Sequence, residues 1–180
     1  KFSKKSEVTL NFHIKSSLTM ETTISKNPVT LNEINAFLNT NKIAVAGASR
    51  NSKKFGSVVM KELLEKGFEV FPVNPFADEI QGRKCYASIS DLPADVKHLF
   101  IVTNKNNSQD IAAEAVKNGI QRIWIQQMSE TPDTIRTIED AGIPLISKKC
   151  ILMFVDPVKG PHRFHRFFVK LFGRYPKAES

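Results

Sequence analysis

The sequence predicts an α/β domain built on a five-stranded, doubly wound parallel sheet with helices on both faces. Three observations carry this. Short apolar runs bounded by Gly, Asn or Pro alternate with amphipathic stretches of about ten residues. The runs are apolar almost throughout, as strands covered on both faces are. The chain has 180 residues and is 41% hydrophobic, which suffices for one domain with a core and is too short for two ordinary ones.

The elements follow in order. Thr30-Leu31-Asn32-Glu33 reads as a capping box opening a helix, with Ile34, Phe37 and Leu38 on one face. Asn39-Thr40-Asn41 ends it. Lys42 to Ala46 is a buried strand broken by Gly47. A helix runs from about Phe55 to Lys66, with Gly67 as its stop. Phe68 to Val73 is the second strand, closed by Asn74-Pro75. Residues 76–95 are a polar connection with a short turn near Ser88–Leu92. His98 to Thr103 is the third strand, and Asn107 or Ser108 caps a helix ending at Asn118-Gly119. Arg122 to Gln126 is the fourth strand, with Trp124 as core. Thr131-Pro132-Asp133 opens a helix with Pro in its first turn, and Gly142 closes it. Ile143 to Ser147 is the fifth strand. The helix-strand alternation implies right-handed crossovers.

Charge and cysteine content exclude several classes. The net charge is +8, but residues 31–154 hold fifteen bases and fourteen acids. The excess sits at the ends, so a fold-borne basic surface for nucleic acid is not expected. Two cysteines, Cys85 and Cys150, give no disulfide framework and suit a reducing compartment, hence the cytoplasm. Residues 1–26 carry no apolar stretch of signal-peptide form. They are set apart as a disordered or non-native extension, with Met20 as a candidate start. The domain proper is assigned to 27–154 and a basic tail to 155–180.

The loop after the first strand carries the chemistry. It reads Gly47-Ala48-Ser49-Arg50-Asn51-Ser52-Lys53-Lys54-Phe55-Gly56. In doubly wound sheets, ligands sit beyond the carboxyl ends of the strands where the strand order reverses. Gly47 permits a sharp turn, and the following helix aims its N–H groups and positive dipole end at the loop, which favours phosphate. Ser49 adds a hydroxyl, and Arg50, Lys53 and Lys54 add cations. The spaced glycines of a dinucleotide fingerprint are missing, and the second strand ends at Val73-Asn74-Pro75 without an acid for a ribose. No Gly-Lys-Ser/Thr triplet is present, so the loop is not a P-loop. A ligand richer in phosphate than NAD, such as coenzyme A, fits three cations better. The loop composition also fits a plain strand-closing turn with solvated lysines.

Three motifs together resemble the stand-alone CoA-binding domain family. They are Ile43-Ala44-Val45-Ala46-Gly47-Ala48-Ser49, Pro72-Val73-Asn74-Pro75, and the Gly82-Arg83-Lys84-Cys85-Tyr86 connection. The resemblance extends to the CoA-binding domain of ADP-forming acyl-CoA synthetases and, more distantly, to the α subunit of succinyl-CoA synthetase. It covers roughly residues 31–154. It implies a Rossmann-like sheet ordered 3-2-1-4-5 and binding of coenzyme A or acyl-CoA at the carboxyl edge. Gly47, Ala48, Ser49 and Arg50 would surround the pyrophosphate, beside Lys53, Lys54, Phe55 and Gly56. Val73, Asn74, Pro75, Val102 and Thr103 would line the nucleotide's edge, and Gln126 and Gln127 would face the pantetheine arm. In the synthetase α subunit a lysine follows the equivalent of Pro75, whereas here Phe76, Ala77 and Asp78 follow. Nothing matches the synthetases' phosphohistidine domain, so the resemblance implies binding without catalysis.

Cys150, flanked by lysines, reads as a buried thiol, with a mixed disulfide to coenzyme A left open. His162 and His165 read as surface residues, since two ligands make no zinc site. Phe164, Phe167, Phe168, Leu171 and Phe172 form a helical stripe starting at Pro161 and stopping at Gly173, with Arg163, Arg166, Lys170 and Arg174 between them. Packing on the domain or across a homodimer is favoured over membrane-surface contact by residues 161–173. The competing functional readings are a small NAD(P)-linked oxidoreductase and an interaction module using the basic tail.

Overall fold

The computed structural model describes residues 29–158 and 160–178, so the expectations for residues 1–26 lie outside the described residues. Seven strands and five helices follow in order: α1 (Leu31–Leu38), β1 (Lys42–Ala46), α2 (Phe55–Glu65), β2 (Glu69–Val73), β3 (Glu79–Ile80), β4 (Arg83–Lys84), β5 (His98–Ile101), α3 (Lys105–Lys117), β6 (Arg122–Gln126), α4 (Pro132–Asp140), β7 (Leu145–Lys149) and α5 (Pro161–Leu171). The five long strands form one parallel sheet, and β3 and β4 form a hairpin.

Side chains alternate across the sheet with the period of two that a pleat imposes. Ile43, Val45, Phe100, Trp124 and Ile146 face α1, α2 and the buried run Ile151–Val155. Ala44, Ala46, Leu99, Ile101, Ile123 and Ile125 face the other way, where Ala112 and Ala115 of α3 and Ile138 of α4 cover them. The fold class is therefore the expected one. Trp124 is fully buried, and its indole N–H donates to the Lys149 carbonyl at 3.1 Å. The capping box of α1 forms as expected, with Thr30 Oγ1 accepting from the Glu33 N–H at 3.2 Å.

The strand order differs from the expected 3-2-1-4-5. The sheet runs β2-β1-β5-β6-β7, which is 2-1-3-4-5 in order of the long strands. Placing a third long strand outside β2 takes a crossover of a dozen or more residues, usually a helix. Residues 74–97 supply only the β3–β4 hairpin and a short 3-10 turn at Ile89–Asp91. The hairpin turns on Gln81 and Gly82, with φ of 52° and 73°, the backbone of a type I′ turn. Tyr86 then touches the outer edge of β2 through one parallel bridge to Val73, exchanging hydrogen bonds with Asn74 and Pro72 at 2.9 Å each. Pro72, with no N–H to give, tolerates this near-edge position.

Several boundaries also shift, β7 running on to Lys149 and β2 starting at Glu69 among them. Asn104, not Asn107 or Ser108, caps α3, accepting from the Asn107 N–H at 3.1 Å. The third strand stops at Ile101. β7 starts at Leu145 because the Ile143 N–H still closes α4 on the Ile138 carbonyl at 3.2 Å.

Helix α5 forms where its pattern places it, but its aromatic stripe does not pack on its own domain. His162, Arg166 and Val169 turn inward, while Phe164, Phe167, Phe168, Leu171 and Phe172 are exposed. Two faces of this helix could have met the body. The one that does is anchored by the pairing of Arg166 with Asp156 and by Val169 against the core.

Candidate functional site

The order 2-1-3-4-5 puts the reversal point between β1 and β5, and there the chain is drawn together most tightly. Gly47, with φ of +97°, stands directly after β1. A Cβ on it would lie 2.5 Å from the Val102 carbonyl oxygen, and a Cβ on Gly56 would lie 2.2 Å from the Gly47 carbonyl oxygen. Only glycine at both positions lets the first turn of α2 seat against the loop, and the loop against the end of β5. Gly56 thus does the close-packing work of the missing fingerprint glycine. No side chain caps α2, so its N-terminal dipole end is left to the loop and to any anion there.

Polar side chains hold this loop to its neighbours. The Asn74 amide donates to the Ala48 carbonyl at 2.8 Å and accepts from the Phe76 N–H at 2.9 Å, so one residue ties the loops after β1 and β2 together. Ser57 Oγ donates to the Ser49 carbonyl, and Gln81 Nε2 donates to the Ser57 carbonyl at 2.9 Å. Ser49 Oγ accepts from the Asn51 N–H at 3.2 Å. Arg50 reaches over to donate to the Phe76 carbonyl at 3.2 Å. Its guanidinium carries five donors, so this bond leaves others to spare. Arg50, Lys53 and Lys54 are all exposed.

Two clefts open at the carboxyl edge and meet at Thr103. The first, of about 360 Å³, is lined by Gly47, Val73, Asn74, Pro75 and Phe76 on one side and by Ile89, Asn107, Asp110, Ile111 and Glu114 on the other. The second, of about 480 Å³, is lined by Phe55, Val102, Thr103, Gln126, Gln127, Met128, Cys150, His162 and His165, among others. Both volumes fall in the range of small-molecule sites. Ser108 fixes the wall between them, with its Oγ 2.7 Å from the Ser129 carbonyl and 3.0 Å from Thr103 Oγ1.

The sequence-predicted residues thus divide. Gly47, Val73, Asn74, Pro75 and Thr103 line the first cleft, and Phe55, Val102, Thr103, Gln126 and Gln127 line the second. Ala48, Ser49, Arg50, Lys53, Lys54 and Gly56 line neither of these two clefts. Ala48 and Gly56 are buried beneath the loop. Gln126 is itself buried, its Oε1 accepting from the Ile151 N–H at 3.3 Å. Sequence reasoning missed the α3 wall with its acids Asp110 and Glu114, because their contribution depends on where α3 docks. It also missed Phe76 as a wall of the first cleft; its ring is 83% exposed at the rim. Met128, 79% exposed with φ of +74°, is a second unsheltered apolar side chain on the second cleft.

Cys150 is buried, and its Sγ lies 3.8 Å from His162 Nδ1. Burial, and secondarily the nearby His165, hold the His162 imidazole below its usual range, partly offset by Glu62. It therefore favours the neutral form near pH 7. Among the described residues no group of three His, Cys, Asp or Glu side chains is placed to hold a metal ion, and no helix is long and apolar enough to cross a membrane.

Comparison with known proteins places this edge in context. Residues 41–156 match the family described as CoA binding domain. The chain is 30% identical over 126 residues to the alpha subunit of acetate–CoA ligase (ADP-forming) II of Pyrococcus furiosus, covering 64% of this chain and 28% of that subunit. It is 26% identical over 120 residues to the uncharacterized protein YneT of Bacillus subtilis, covering 66% of this chain and 89% of that one. A conserved hypothetical protein from Pyrococcus furiosus superposes with a TM-score of 0.61 at 43% identity, over 62% of this chain and 97% of that one. The apo form of the dinucleotide-forming acetyl-coenzyme A synthetase 1 of Ca. Korarchaeum cryptofilum superposes with a TM-score of 0.56 at 29% identity, over 62% of this chain and 27% of that one. The chain therefore spans only a small part of the ligases that it resembles.

Proposed function

Because the chain belongs to the family of CoA binding domains, we propose that it binds coenzyme A or an acyl-CoA at the carboxyl edge of its sheet without catalysing a reaction on it. The observation that carries this reading is the seating of α2 through Gly56 on Gly47, which aims an uncapped helix N-terminus at the loop between the two clefts. The diphosphate would lie against the backbone of Gly47–Arg50 and the start of α2. The adenosine would enter the first cleft, with Phe76 as a stacking platform. The pantetheine arm would follow Val102 and Thr103 past Gln127, bringing the thiol end toward Cys150 and His162.

Charge orients the ligand within this frame. Asp110 and Glu114 on the α3 wall disfavour a phosphate beside them. The 3′-phosphate is therefore assigned to the side of Arg50, Lys53 and Lys54. These cations stand outside the clefts, in the position of a rim that attracts an anion and stays hydrated. A non-catalytic role is supported by the use of the site's amides: those of Asn74 and Gln126 are engaged in holding backbone. The two free, buried cysteines suit a reducing compartment such as the cytoplasm.

Thermal-shift measurement against CoA, acetyl-CoA, NAD, NADP and ATP tests the reading. CoA is expected to raise Tm and NAD to leave it unmoved. A shift by NAD or NADP without one by CoA would favour a dinucleotide-linked oxidoreductase instead.

A further inference from the structure

Helix α5 holds an apolar stripe open to solvent: Phe164, Phe167, Phe168, Leu171 and Phe172 are 49 to 70% exposed. The helix is fixed in this attitude. Val169 packs on the core, and Arg166 pairs with Asp156. Just past the helix, Tyr175 stacks on Phe154 with ring centroids 5.4 Å apart, and Lys170 lies 4.8 Å over the Tyr175 ring. The Leu31 N–H then ties the following segment down by donating to the Lys177 carbonyl at 2.9 Å. A contiguous aromatic stripe held outward on an anchored helix is an attachment surface.

Charge decides what it attaches to. Residues 157–178 contain six Lys or Arg and no acid, and Arg163, Lys170, Arg174 and Lys177 are exposed. A second copy docking stripe to stripe would press two such cationic borders together. Residues 1–28 are cationic too, with five Lys against two Glu. The surface calls for an anionic partner with an apolar layer beneath its charge. A bilayer containing anionic lipid has that layering, and a basic amphipathic helix lies in its interface plane. At eleven residues, or roughly 16 Å, the helix has the length to lie on a membrane and not to cross it.

We propose that α5 docks the protein peripherally on anionic membrane surfaces. The Phe164–Phe172 stripe enters the headgroup–acyl boundary, and Arg163, Lys170 and Arg174 meet lipid phosphates. This inference is independent of the CoA reading.

Co-sedimentation of the full chain with phosphatidylcholine vesicles, with and without about 30% phosphatidylserine, tests it. Binding is expected at least about tenfold tighter with phosphatidylserine, and lost near 1 M salt, where the Debye length falls to about 3 Å. The double variants Phe167→Ser/Leu171→Ser and Arg163→Glu/Arg174→Glu are each expected to lose at least about tenfold in binding. Both alter exposed side chains only, and an unchanged thermal midpoint and circular dichroism spectrum would certify their fold. Equal binding to both vesicle types, or none to either, overturns the proposal. So does light scattering that shows a dimer dissolved by Phe167→Ser/Leu171→Ser without vesicle binding, because a second copy would then own the face.

Discussion

The two glycines at the end of β1 and the start of α2 are not equivalent to the glycines that merely end helices. A methyl at Gly56 meets backbone at 2.2 Å, whereas one at Gly67, with φ of +85°, meets nothing within 4 Å. Gly56→Ala is therefore expected to lower stability by about 3 kcal/mol through overpacking against a carbonyl that cannot yield. Gly67→Ala should cost only the left-handed backbone term of about 1 kcal/mol. Urea denaturation of the two variants checks the ranking. Asn74→Ala removes one hydrogen bond that joins the two loops and one within the loop after β2, at about 1 to 2 kcal/mol in stability. Phe76→Ala, at an 83% exposed position, should leave stability unmoved and weaken CoA by about 1 kcal/mol, or roughly fivefold, if the ring stacks on adenine. At this scale Gly47 was legible because a glycine directly after an apolar strand has a strong local meaning. The tie from Arg50 to the Phe76 carbonyl was not, since a long flexible side chain leaves no periodic trace of where it ends.

Elements were legible where local signals were redundant. The capping box, the strand alternation and the Pro-opened α4 each rest on two or more agreeing cues. The strand order was not, because it turns on what residues 74–97 lack. Residues 74–97 form a hairpin, a single bridge at Tyr86 on the outer edge of β2 and a 3-10 turn but no crossover helix, and the next long strand pairs on the far side of β1. The inward face of α5 escaped for a related reason. Its docking is set by Arg166, His162 and Val169, a mixed face that hydrophobic spacing ranks below the aromatic one. Packing of α1 on the sheet carries a pH dependence. His98 Nδ1–H donates to the Phe37 carbonyl at 2.7 Å. Burial holds this imidazole below its usual range, the hydrogen bond to Phe37 partly offsets that, and Arg122 adds to it. The unfolded chain therefore takes up the proton first, near pH 6.5. The stability present above that value is lost as pH falls through it. Melting temperature should hold from neutral pH upward and drop below about 6.5. His98→Asn, which keeps a donor at the Nδ1 position, should flatten the slope without removing it, because His162 titrates in the same direction.

Across the whole molecule, the sheet's two buried faces and its reversal of strand order act together. Closing both faces with helices leaves the carboxyl edge as the place where backbone ends converge. At the reversal between β1 and β5, Gly56 seats α2 on Gly47, and Gly47 seats the loop on the end of β5. The proposed phosphate position rests on that geometry more than on the loop's cations, which line neither cleft. The most direct measurement is calorimetric titration of CoA into the wild-type chain and into Ser49→Glu. Saturable binding of one CoA per chain is expected in the wild type, with its loss when a carboxylate occupies the proposed diphosphate position. Undiminished binding by Ser49→Glu would contradict it.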